Sequence, residues 1–331
     1  MADVNMGAIS RRTFLRGTAA LYAAGSAGFA AHAEPTTLRL GYGGAAEEPF
    51  WLLIAKPSLG KNYGTAYTLD ATRFQGSDKR AQAFEAGAID LALSGANGVL
   101  FAAAEGVTAK IIASISQEST RGFSTSYYAK AQSGIKSVPD LKGKTIGLNG
   151  FSTSGHLWLW AALQKHGLSD SDVTIAPVPF PAMEEALIAG KIDAREFPQP
   201  FAALLEKDTA VNKIFDAKYG LPFDEELNVL IAKEEFLKRN AGAVRALLED
   251  LHTTMQLYLQ NPREMRQLLI DSKMVRVRPE VYLDMQDYYR DPTLRPHLGA
   301  LRAMQEFQVK AVFQRKSVEV EALVDASYLP Q

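Results

Sequence analysis

Cysteine is absent from the 331-residue sequence. That absence excludes disulfides, thiol nucleophiles, thiolate metal sites and iron–sulfur clusters. It also excludes a lipoprotein anchor, which is built on a cysteine at the cleavage point. A surplus of basic charge is missing as well: 36 lysines and arginines face 37 aspartates and glutamates. Nucleic acid or an anionic membrane calls for a basic face, so neither is expected as a partner. Histidine is scarce, five in all, and no two stand at the His-x-x-x-His spacing of a zinc helix. No metal and no cofactor is expected. A membrane span needs about 20 predominantly apolar residues. The apolar stretch from Gly17 to Ala30 is shorter and broken by Gly25, Ser26 and Gly28.

What is present begins with an export signal. Ser10-Arg11-Arg12-Thr13-Phe14-Leu15-Arg16 supplies paired arginines followed by two apolar residues, the pattern of the twin-arginine (Tat) route. An uncharged Ala- and Gly-rich stretch follows, and Ala31-His32-Ala33 forms a small-x-small cleavage site. Residues 1–33 are therefore expected to be removed by way of the Tat translocase, leaving a chain that starts near Glu34. The signal holds three arginines (Arg11, Arg12, Arg16) and one acid (Asp3), so its loss makes the chain slightly more acidic. An exported chain with no tether is retained only by an outer membrane, which points to the periplasm.

The remaining chain alternates strands and helices. Strands are expected at Thr37–Tyr42, 65–72, Ile89–Leu93 and 109–114, with helices at 77–86 and 97–105 between them. Ser77 is the expected N-cap of the first of these helices. A second run has strands at Thr145–Leu148, Val173–Val178 and Ile192–Phe197. Its helices lie at Ser154–His166 and at 181–189, the latter with Pro181 at the first position. Such alternation implies parallel βαβ units and an α/β fold. Ala86-Gly87-Ala88-Ile89-Asp90 and Ala189-Gly190-Lys191-Ile192-Asp193 echo one another, each closing a helix and opening a strand. After a strand at Leu227–Ala232 the chain turns helical, at 241–260, 262–270 and 302–312, with Asn240 and Asn261 as N-caps. Crossings at Gln117–Ser124 and Ile214–Phe223 give two lobes that hinge about a cleft. One lobe comprises residues 34–120 and 221–331, the other 121–220.

At this point a family becomes visible. The motifs are Gln75-Gly76-Ser77 with the Ala86–Asp90 junction, Val138-Pro139-Asp140-Leu141-Lys142-Gly143-Lys144-Thr145-Ile146-Gly147, Val178-Pro179-Phe180-Pro181-Ala182-Met183 with Ala189–Ala194, and Leu323-Val324-Asp325-Ala326-Ser327-Tyr328-Leu329. In this order and spacing the chain resembles the periplasmic substrate-binding proteins of importers for nitrate, sulfonates, taurine and thiamine precursors. The resemblance implies a periplasmic binding protein-like type II fold, in which two α/β lobes joined by a two-segment hinge close over a small molecule. It further implies a monomer that hands its ligand to an ABC permease in the inner membrane.

In open parallel sheets, ligands bind beyond the carboxyl ends of the strands, where loops lead into helix N-termini. That rule selects the loops holding Tyr42, Trp51, Gln75, Ser77, Ser94 and Asn97 in the first lobe. In the second it selects Ser152, Thr153, Ser154, His156, Phe180 and Glu196. The run Gly150-Phe151-Ser152-Thr153-Ser154-Gly155-His156 places three hydroxyl residues at a helix start, where unpaired N–H groups can hold an anion; ordinary capping is the alternative. Tyr42, Trp51 and Phe180 are candidates to wall the ligand, although Phe50-Trp51-Leu52-Leu53-Ile54 also reads as a buried helix. Trp158 and Trp160, deeper in their helix, read as core. Glu196 stands where relatives carry apolar residues, so it either pairs internally or meets a donor on the ligand. Glu47 and Glu48 near the cleft mouth read as a solvated helix start.

Two ligand classes follow: a small organic anion or zwitterion, such as a sulfonate, taurine or nitrate, or an aromatic or heterocyclic solute such as a thiamine pyrimidine precursor. An enzyme of pyrimidine synthesis is disfavoured, because the comparable synthases carry a cysteine-rich motif. No third group is placed to orient His156 beside Ser154, as nucleophilic catalysis would need.

Overall fold

The computed structural model describes residues 34–205 and 210–331; the export signal expected at residues 1–33 lies outside them. Two five-stranded mixed sheets carry the architecture. In the first, β1 (Thr36–Tyr42), β2 (Tyr67–Arg73), β3 (Leu91–Gly95) and β4 (Lys110–Glu118) are joined by β10 (Glu225–Ala232) in the order β2-β1-β3-β10-β4. The second holds β5 (Ser126–Lys130), β6 (Thr145–Leu148), β7 (Thr174–Pro177), β8 (Ala194–Phe197) and β9 (Val211–Asp216) in the order β7-β6-β8-β5-β9. Strands β1, β2 and β3 pair in parallel, as do β6, β7 and β8. The expectation of parallel pairing alone is corrected by β10 and β5, each of which runs antiparallel between two neighbours.

Each of these antiparallel strands arrives from the other sheet. The chain leaves β4 and enters the second sheet as β5; it leaves β9 and returns to the first as β10. The two crossings thus run from Glu118 to Ser126 and from Asp216 to Glu225, so the segments expected to cross are in part strand. β5 shows none of the alternation of a half-buried strand, because four of its five residues are buried on both faces.

Helices α1 (Glu48–Ala55), α2 (Ser77–Glu85) and α3 (Ala96–Ala104) serve the first sheet; α4 (Ser154–Gln164) and α5 (Phe180–Ile188) serve the second. The short α6 (Ala217–Gly220) lies in the second crossing. Then follow α7 (Glu234–Arg239), α8 (Ala241–Gln260), α9 (Pro262–Asp271), α10 (Pro279–Tyr282), α11 (Leu298–Lys310) and α12 (Val320–Leu323). On α8 the buried residues Val244, Leu247, Leu248, Leu251, Met255 and Tyr258 recur at helical spacing and join the core under β1 and β2. Asp250 is buried on that same face. It is tolerated because the Asn62 backbone N–H (3.1 Å) and the Tyr67 hydroxyl (2.9 Å) both donate to its Oδ2.

Several local expectations are corrected. Gly76, extended at φ −143°, takes the N-cap position of α2, and Ser77 is the first helical residue. Helix α5 starts at Phe180, which puts Pro181 second, still in the turn where a missing N–H costs nothing. Asn240 and Asn261 occupy N-cap positions without side-chain capping bonds; the Asn240 amide instead donates to the Phe236 carbonyl and closes α7. Helix α11 begins at Leu298, earlier than expected, because His297 Nδ1 accepts the Ala300 N–H at 2.9 Å. Among the described residues no helix is long and apolar enough to cross a membrane.

Candidate functional site

Between the two sheets lies a cavity of about 330 Å³, bounded by the loops at the carboxyl ends of β1, β2, β3, β6 and β8 and by the start of α5. Gln75, Ser77 and Ser94 line it from the first lobe; Ser152, Thr153, Ser154, Phe180 and Glu196 line it from the second. The crossover rule places these side chains: every parallel strand aims its carboxyl end at the gap between the sheets.

Four expected residues stand elsewhere. Trp51 is buried in the first-lobe core, and its indole N–H donates to Glu47 at 3.2 Å. Tyr42 belongs to that same core. Asn97 is buried between the lobes, where its amide donates to Ser154 Oγ at 2.9 Å and to Glu225 at 3.1 Å. His156 faces away from the cavity and is held between the rings of Phe151 and Phe313. Its Nδ1 accepts the Ser152 N–H (3.2 Å), which leaves Nε2 to donate to Asp170 at 2.9 Å. That bond closes a tight turn with Ser152 at φ +56°. Part of the hydroxyl run therefore does cap α4, since Thr153 Oγ1 accepts the His156 N–H.

On the first-lobe side, Glu47 and Glu48 are both buried rather than solvated. Glu47 accepts the Gly43 N–H (2.7 Å) and lies 3.6 Å from Arg80 on α2. Burial pushes its carboxyl above the usual range despite that arginine. Glu48 turns into the protein and pairs with Arg290.

On the second-lobe side, Glu196 is 2% exposed, and its Oε1 accepts the Asn149 backbone N–H at 2.6 Å. Burial, only partly offset by that bond, raises its carboxyl to about 7. The carboxyl presses on the first turn of α4: a Cβ on Gly155 would meet Oε2 at 1.7 Å. The helix start expected to hold an anion thus already faces a carboxyl group of the chain itself. Among the lining residues the acids are Glu47, Asp78, Glu85 and Glu196, and Arg80 is the one base.

A hydrogen-bonded bridge ties the lobes together beside the cavity. Trp158, on α4, donates to Glu225 Oε2 at 2.6 Å, while Asn97 donates to Glu225 Oε1 and to Ser154. Gln308, on α11, donates to Asn97 Oδ1 at 2.7 Å. The expected sites omit Glu47, Arg80, Asn149, Asn97's bridging role and Glu225, all of which depend on contacts between segments far apart in the chain. Among the described residues no group of three or more His, Asp or Glu side chains could hold a metal ion.

Comparison with known proteins agrees with this geometry. A protein of Brucella abortus described as a binding protein is 30% identical over 265 residues, 77% of this chain and 76% of the relative. A protein described as an aliphatic sulfonates-binding protein of Escherichia coli is 24% identical over 296 residues, 87% of each chain. Among solved structures, the alkanesulfonate-binding protein SsuA from Xanthomonas axonopodis pv. citri, bound to MOPS, superimposes with a TM-score of 0.73 at 22% identity. That match covers 88% of this chain and 99% of the other. The NMT1/THI5-like family matches residues 68–265, a span that runs from β2 through both crossings into α9, and the chain belongs to that family.

Proposed function

We propose that this protein is the solute-binding component of an ABC importer, capturing a small organic anion or zwitterion in the cleft between its lobes. The observation that carries the reading is the interlobe cavity, walled by both sheets at the carboxyl ends of their parallel strands. Relatives described as binding proteins, one of them for aliphatic sulfonates, support it. His156 is committed to Asp170 and to the turn at Ser152, which supports binding without turnover. A second reading, an aromatic or heterocyclic solute, is favoured by Phe151 and Phe180 on the same wall.

The lobes are proposed to comprise residues 34–120 with 221–331 and residues 121–220, and the ligand contacts to include Gln75, Ser77, Ser94, Ser152, Thr153, Ser154, Phe180 and Glu196. Export by the twin-arginine route to the periplasm and delivery by a monomer to an inner-membrane permease complete the proposal. Replacing Arg11 and Arg12 with lysine tests the export route, and retention of the uncleaved chain in the cytoplasm is the expected result. The function itself is tested by a thermal-shift and native mass-spectrometry panel of sulfonates, taurine, nitrate and pyrimidines. A true ligand binds one to one and, at a hundred times its dissociation constant, stabilises by about 2.7 kcal/mol. Steady turnover of a panel member overturns the reading.

A further inference from the structure

The chemistry of one end of the solute is written into the second-lobe wall; this step rests on the cleft being a solute site. Glu196 uses one carboxyl oxygen, Oε1, to accept the Asn149 backbone N–H. The other oxygen, Oε2, lies against the first turn of α4 at Gly155, and the residue forms part of the cavity wall while only 2% exposed. The side-chain oxygen of Asn149 is buried on that wall without a partner. A buried acceptor without a donor carries an uncompensated desolvation penalty, which a donor on a bound solute would relieve, and the Glu196 carboxyl on the same wall adds a second acceptor for it.

Charge points the same way. The lining base, Arg80, is engaged by Glu47 at 3.6 Å, and the neighbouring Arg195 lies over the Phe197 ring at 3.9 Å and is absent from the cavity wall. The Glu196 carboxyl fills the space beside Gly155 at the N-terminus of α4, the place whose N–H field would otherwise draw a free anion. Groups facing Glu196 from the packed elements are Tyr127 on β5, Asn149 after β6 and Gly155 on α4, none of them cationic.

We propose that Glu196 Oε2 and Asn149 Oδ1 form a subsite that takes N–H donors of the solute, an ammonium group or the amino edge of a heterocycle. Solutes whose sole polar group is an anion are turned away there. A zwitterion satisfies the subsite with its ammonium end and leaves its anionic end to the hydroxyl groups of Ser77 and Ser152.

Calorimetric titration of the wild-type protein with matched probes tests the subsite. Taurine is compared with ethanesulfonate, and aminopyrimidine with pyrimidine; the two pairs separate an ammonium source from a heterocyclic one. The donor-bearing member of at least one pair is expected to bind about 10- to 100-fold more tightly, the range of a charge-assisted hydrogen bond. In Glu196→Gln most of that ratio disappears. Equal binding of both members of each pair, or a ratio unchanged in Glu196→Gln, overturns the subsite while leaving the solute-binding reading intact. Binding of no probe counts against both. Should Glu196→Gln fail to fold, the wild-type ratio decides alone.

Discussion

A carboxyl group closed off from water resists ionisation, and in this protein burial raises several to about 7: Glu118, Glu196 and Glu226, with Glu48 beside Arg290. The sign of the consequence follows from proton counting. Between about pH 4.5 and pH 7 the folded chain holds protons on these groups that the unfolded chain has released, so their contribution to stability is full at the acid end and is lost as pH rises through about 7. Glu196→Gln removes one such group. Urea midpoints measured from pH 5 to pH 8 are expected to fall less steeply in that variant, the difference amounting to at most about 3 kcal/mol. Gly155 is the second residue-scale case. Gly155→Ala sets a methyl group against the Glu196 carboxyl at 1.7 Å. Displacement of that side chain is expected to cost about 1–3 kcal/mol by thermal unfolding and to weaken ligand binding together with it.

Among the elements, α3, α4 and α11 meet at Asn97, whose amide serves Ser154 and Glu225 and whose oxygen is served by Gln308. Asn97→Ala leaves buried polar groups on three elements short of partners. A loss of about 1–3 kcal/mol in chemical denaturation is expected, and Asn97→Asp, which keeps the shape but brings a carboxylate beside Glu225, should not rescue it. Helix α11 also reaches across to the second lobe, where Phe307 packs edge-on against Trp160 at 5.9 Å. Phe307→Ala is expected to destabilise by about 1–3 kcal/mol. How far such elements can be read from the chain depends on where their information lies. Strand β6 and helix α8 are legible because Ile146 and Leu148, or Val244, Leu247 and Leu251, repeat at the period of their own element. Strands β5 and β9 are not, since Ser126-Tyr127-Tyr128-Ala129 is buried on both faces and its identity is decided by β8 and β9 beside it. The cavity loops were legible for the same reason as β6, being strand ends. Trp51 was misleading there because a tryptophan after a strand suits a wall and a core equally, and the core takes it.

For the whole molecule, the two crossings and the Asn97 bridge set what closure can mean. Glu118 and Glu225, opposite one another where β4 ends and β10 begins, stand at the two crossings, and both accept hydrogen bonds from groups at or beyond the boundary: Thr125 for Glu118 and Trp158 for Glu225. Trp158→Phe removes the donor that links the second lobe to Glu225. Small-angle scattering of that variant without ligand is expected to show a larger radius of gyration than wild type, with the difference vanishing on ligand addition. A radius that is unchanged would place the hinge's resting position elsewhere than in this bond.

The exchange of strands between the sheets also fixes an order of events during synthesis. Strands β1 to β4 leave the ribosome first, yet the strand that sits between β3 and β4 is β10, made only after the whole second sheet. For more than a hundred residues of elongation, β3 and β4 wait without the neighbour that joins them. The second sheet has all five of its strands once Asp216 has been made, so it can close before the first. Contacts across so long a stretch form slowly, and until β10 docks the nascent chain carries unpaired strand edges, the surfaces on which chains stick to one another. A product cut short anywhere before Glu225 would be expected to remain in that sticky condition, which makes the last strand to enter the sheet the molecule's own signal that synthesis has gone far enough to be useful.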